Sequence, residues 1–106
     1  MLIATSAAQT PQTTKFRHDI KPGKIEEECR SVDAGAKVAY HFSSSAPVAF
    51  NVHFHHEKEV DYPVKVERTG SEKGVFTAAS KQEFCWMWTN ATTGTVVVEG
   101  ELTPMR

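Results

Sequence analysis

Apolar and polar residues alternate with a period of two along most of the chain, the pattern of strands that bury one face. Lys15 to Ile20 places Phe16, His18 and Ile20 on one side, and Pro22-Gly23 then punctuates the chain as a turn. Ile25 to Val32 forms a second run, ended by Asp33-Ala34-Gly35. Lys37 to Phe42 sets Val38, Tyr40 and Phe42 together, and the Ser43-Ser44-Ser45-Ala46-Pro47 stretch breaks it. Val48 to His55 turns Val48, Phe50, Val52 and Phe54 inward and leaves Asn51, His53 and His55 outward. Tyr62 to Glu67, Gly74 to Ala79, Phe84 to Thr89 and Thr95 to Leu102 complete about eight short strands. Pro63 marks an edge or a strand start, and Thr69-Gly70-Ser71 reads as a turn. No apolar stripe at helical spacing occurs, so the pattern predicts an all-β fold. The expected architecture is a single antiparallel, jelly-roll-like β-sandwich over residues 15–103.

A chain of 106 residues suits one domain with one core. Residues 1–14, MLIATSAAQTPQTT, read as a disordered or processed N-terminal tail. With a net charge of −1 and no basic stripe, nucleic acid is not an expected partner. No apolar run reaches the roughly 18–20 residues of a membrane span. The two cysteines, Cys29 and Cys85, are too far apart for a C-x-x-C motif. They suit one structural disulfide in a secreted or periplasmic protein, against the alternative of two buried free thiols in a cytosolic one.

An early Glu28-Cys29 is followed by a turn at Gly35, then by a Tyr-containing strand and an apolar strand. Gly74-Val75-Phe76 precedes the aromatic-Cys-aromatic run Phe84-Cys85-Trp86, which ends at Asn90. This order resembles the GOLD (Golgi dynamics) domain over about residues 16–102. The resemblance implies a lumenal β-sandwich, a Cys29–Cys85 disulfide, and binding of proteins or lipids rather than catalysis. The chain departs from that family in its His53-Phe54-His55-His56 cluster.

That cluster is the most distinctive polar feature. On one strand, His53 and His55 share a face at a spacing that lets two imidazoles reach one copper or zinc ion. His41, His56 or Glu57 would complete such a shell; a solvated polar face is the plainer alternative. Trp86 and Trp88 lie opposite in parity to Cys85 and Met87. They are either core residues or an exposed binding patch, and the direction of the disulfide decides between the two. Asn90-Ala91-Thr92 matches the N-glycosylation pattern. No nucleophile elbow, metalloprotease, phosphate-loop or dinucleotide signature is present. The sequence therefore points to a non-enzymatic module that binds a protein partner or its own copies, with no resident cofactor unless the histidines hold Cu or Zn.

Overall fold

The computed structural model describes residues 12–105. Most of the expected tail lies outside the described residues, and Thr14 already opens the first strand. Six strands follow in order: β1 (Thr14–Ile20), β2 (Ile25–Val32), β3 (Lys37–His56), β4 (Glu59–Thr77), β5 (Gln82–Thr89) and β6 (Val96–Met105). They form one curled antiparallel sheet in the order β1-β6-β3-β5-β2, with β4 on the remaining side of β3.

All-β architecture is as the alternation predicts; the eight-strand sandwich is not. The serine run and Thr69-Gly70-Ser71 do not end strands, so four expected strands merge into the long β3–β4 hairpin. Pairing runs from Lys37↔Thr77 to Ser43↔Ser71, resumes at Val48↔Thr69, and leaves Ser44 to Pro47 opposite Gly70 alone. The extra β3 residues form a bulge that bends the strand without ending it. Serine side chains supply hydrogen bonds there: the Val97 N–H donates to Ser45 Oγ at 2.9 Å, and the Ser44 hydroxyl donates to the Ala46 carbonyl. The same bend divides the sheet. Lys37 to Ser44 of β3 pair with β6, whereas Ala49 to His53 pair with β5.

Curling brings the inner faces of the two halves together. Trp88 on β5 lies 4.8 Å from Phe16 on β1, ring centre to ring centre, and 5.5 Å from Phe42. Trp86, Trp88, Phe50 and Val52 are completely buried, along with Val98 of β6. Large aromatic side chains dominate this core, as expected where a small domain must bury much area with few residues. Gly100 allows β6 to lie closely against β3: a Cβ there would fall on the His41 carbonyl oxygen and within 2.7 Å of Phe42 Cα.

The free edges of β1 and β2 also meet. Gly23, with φ of 74°, closes the turn between them, and its N–H donates to the Asn90 carbonyl at 2.8 Å. Further along, Glu28 contacts His18 Nε2 at 2.7 Å, and Arg30 donates to Thr14 Oγ1. Side chains rather than ladder hydrogen bonds therefore close this seam.

Candidate functional site

The disulfide joins Cys29 and Cys85, which stand directly opposite each other on β2 and β5 with Cα atoms 4.0 Å apart. Both belong to one sheet, so the bond lies across its outer face. Phe84, Trp86 and Trp88, of opposite parity, point into the core. The reading of Trp86 and Trp88 as an exposed patch is corrected accordingly: both have zero exposure.

Next to the disulfide, β3 contributes His53, paired in register with Cys85. The parity expectation holds, since His53 is on the outer face, yet only 5% of it is exposed. Its cover comes from three neighbouring strands. Glu27 of β2 places Oε1 3.7 Å from His53 Nε2. The Tyr62 ring of β4 lies 5.7 Å away, and that of His55 lies 5.2 Å away at a steep angle. His53 Nδ1 is 2.7 Å from Asn51 Oδ1, so the ring is fixed from that side. Burial pushes the His53 imidazole below its ordinary pKa; Glu27 opposes this shift and His55 adds to it.

The other histidines are dispersed. His41 occupies the opposite half of β3, 3.4 Å from Glu101, in an open depression also lined by Lys15 and Glu99. His56 contacts Asp61 at 2.9 Å and stacks on Phe54. Glu57 does not extend the strand parity, because it sits in the β3–β4 turn with φ of 55°. Among the described residues, the cluster able to converge on a metal ion is Glu27, His53 and Cys85. Glu27 was invisible as a candidate in the sequence, because its approach depends on β2 pairing with β5 beside β3.

Asn90 is also fully buried. Its Nδ2 donates to the carbonyls of Ile20 and Gly94 at 2.8 Å each, and its Oδ1 accepts from Thr92 N and Oγ1. A glycan on this nitrogen is incompatible with the folded chain. The tripeptide is a turn motif that ties β5 to β1 and β6.

The β3–β4 hairpin offers a different kind of surface. Beyond His53, β3 pairs with β4 alone, leaving residues 54–61 as a two-stranded ribbon. The ribbon and its base carry exposed His55, His56, Glu57 and Lys58, together with Tyr62 at 45% exposure. Glu57 in the left-handed region is a strained backbone position at the ribbon's tip. Among the described residues no hydroxyl is hydrogen-bonded to an imidazole, so the arrangement of an activated nucleophile is not formed there.

The described residues thus form a disulfide-bridged, curled β-sheet with a projecting hairpin. No family model matches the chain, and no curated protein matches it in sequence. Among solved structures, the chain is similar to PliG of Aeromonas hydrophila, a periplasmic lysozyme inhibitor of g-type lysozyme. The TM-score is 0.68 at 12% identity, covering 95% of this chain and 93% of that one. At that identity the likeness is one of fold. Among the described residues no helix is long and apolar enough to cross a membrane.

Proposed function

We infer that this chain is a non-enzymatic, exported module that binds a protein partner through the ribbon of the β3–β4 hairpin. The observation that carries the reading is the ribbon itself: residues 54–61 leave the sheet and present exposed polar and aromatic side chains around a strained turn. Such a projection can enter a concave site on another protein, and Tyr62 at its base supplies aromatic area of the kind that anchors interfaces. The disulfide is compatible with an oxidising compartment. The GOLD-like order of residues supports the same broad class.

The fold shared with PliG makes a lysozyme the first partner to test. Purified oxidised protein should form a 1:1 complex with g-type lysozyme and slow its lysis of bacterial cell walls. Tyr62→Ala should weaken that complex by tenfold or more while leaving the fold intact. Absence of binding to g-type lysozyme removes the lysozyme reading. If the protein is also a strict monomer, self-association, the other expected partner mode, is removed with it.

Copper or zinc binding by His53 and His55, with His41 or His56, has less support from the geometry. His53 presents Nε2 to Glu27, while His41 and His56 engage carboxylates elsewhere.

A further inference from the structure

The outer face beside the disulfide carries a donor set that oxidation keeps closed. Ligand atoms of Glu27, His53 and Cys85 all lie within 4.8 Å of one another. The second sulfur also adjoins the carboxylate, with Cys29 Sγ 3.7 Å from Glu27 Oε1. Two sulfurs, an imidazole and a carboxylate therefore adjoin one another on this face, brought there by β2, β5 and β3. Asn51 holds His53 by Nδ1 at 2.7 Å, which leaves Nε2 free toward the carboxylate and the sulfurs. Metal-bound histidines are commonly oriented by such a contact on the other ring nitrogen.

We propose that reduction of the Cys29–Cys85 bond opens a Zn2+ site made by Cys29, Cys85, His53 and Glu27. A cellular dithiol performs the reduction: the protein disulfide gains two electrons and two protons and becomes two thiols, while the dithiol closes to a cyclic disulfide. Zinc then displaces the two thiol protons and binds both thiolates, with His53 Nε2 and one Glu27 oxygen completing four ligands. Once the bond is broken the sulfurs must separate. Zn–S bonds of about 2.3 Å at a tetrahedral angle require roughly 3.8 Å between sulfurs, a change within reach of side-chain rotation. The carboxylate oxygen and the imidazole Nε2, now 3.7 Å apart, need to close by only about 0.3–0.4 Å to share one ion at bonds of about 2.0–2.2 Å. Thiolates with imidazole favour zinc over the hard cations Mg2+ and Ca2+. Zinc and oxidation thus compete for the same two sulfurs, so the metal delays closure of the disulfide and oxidation expels the metal.

The test titrates the full chain, reduced with a phosphine that takes up one oxygen from water as it delivers two electrons, with Zn2+ and then with Co2+. One equivalent should bind, two protons should be released, and the Co2+ complex should show sulfur-to-metal charge-transfer absorption. Both thiols should become at least tenfold slower to alkylate. Oxidised protein, which keeps every exposed histidine, should show none of these effects. His53→Gln and Glu27→Gln, each checked to form the disulfide normally, should weaken binding tenfold or more. If the reduced chain loses its sheet signal in circular dichroism, zinc should restore it. The proposal is overturned by no metal uptake on reduction, by equal uptake in the oxidised protein, by unchanged affinity in His53→Gln, or by a reduced chain that zinc fails to refold. Lysozyme binding by the oxidised protein is read separately and does not bear on these outcomes.

Discussion

His18 on β1 and Glu28 on β2 meet at 2.7 Å across the unladdered seam between those strands, and so join their two edges. His18 also stacks on Phe16 and lies 6.0 Å from Trp88, so the polar contact sits directly on the aromatic core. Glu26 approaches the other ring nitrogen at 3.6 Å. Both partners of the closer pair are largely covered, with side-chain exposures of 18% and 25%. A charge-assisted hydrogen bond in that setting contributes about 1.5–3 kcal/mol. Glu28→Ala should therefore lower the urea midpoint by an amount equivalent to about 1–2 kcal/mol, and the seam amides of β1 and β2 should exchange hydrogen faster than those of β5. Unchanged protection along β1 would show that the seam does not depend on this contact.

Asn90 gives the second prediction. Its fully buried amide group satisfies two carbonyls and accepts from Thr92 in a turn that is otherwise largely exposed. Asn90→Ala leaves the buried Ile20 carbonyl without its partner, at about 1–3 kcal/mol, and also removes the part-buried bonds to the Gly94 carbonyl and from the Thr92 N–H. The loss should total about 2–4 kcal/mol, seen as a lower thermal midpoint. Expression in a glycosylating host should yield folded protein without a glycan at this site; a glycosylated, stable product would contradict the burial of the side chain.

What could be read in the sequence follows from which physical features are local. Parity alone placed Phe50, Val52 and Phe54 opposite Asn51 and His53, because alternation is a property of a single strand. Cys29 and Cys85 are the chain's two cysteines, so a disulfide between them was the natural pairing. Its direction was not legible. A bond between facing sheets would have pushed Trp86 and Trp88 outward, whereas a bond between neighbouring strands leaves them inside. Strand number failed at the serine run, whose polar side chains satisfy backbone groups within a bent strand as readily as within a loop. The burial of His53 was likewise hidden: its cover of Glu27, Tyr62 and the disulfide comes from sequence-distant strands and exists only in the assembled register.

Acid sensitivity should report on that cover. Burial holds the folded His53 pKa below its ordinary value of 6.5, so at mildly acidic pH the unfolded chain binds a proton that the folded chain does not. The contribution of this group is complete above pH 6.5. It is lost as pH falls from there toward the folded pKa, and it levels off below it. One proton sets a limiting slope of about 1.4 kcal/mol per pH unit. Urea melts of wild type and His53→Gln between pH 7.5 and 4.5 isolate the effect, since Glu27, His55 and Tyr62 face the site in both. The wild type should lose more stability than the variant over that range. Parallel curves would show that His53 titrates as it does in the unfolded chain.

Glu57 separates folding from function at the hairpin tip. A non-glycine residue at φ of 55° carries a backbone cost of about 1–2 kcal/mol, which glycine does not bear. Glycine gives part of that back through the greater freedom of its unfolded chain, so Glu57→Gly should raise stability by roughly 0.5–1 kcal/mol. If the ribbon is the surface that engages the partner, the same change removes a charged side chain from the interface and loosens the turn that presents it. Affinity for the partner should then fall by about threefold to tenfold, driven mainly by faster dissociation. The two readouts move in opposite directions, a combination that a purely structural turn cannot produce. A variant that is more stable and binds with unchanged affinity would place the interface away from the tip, leaving the Tyr62 end of the ribbon as the contact to examine.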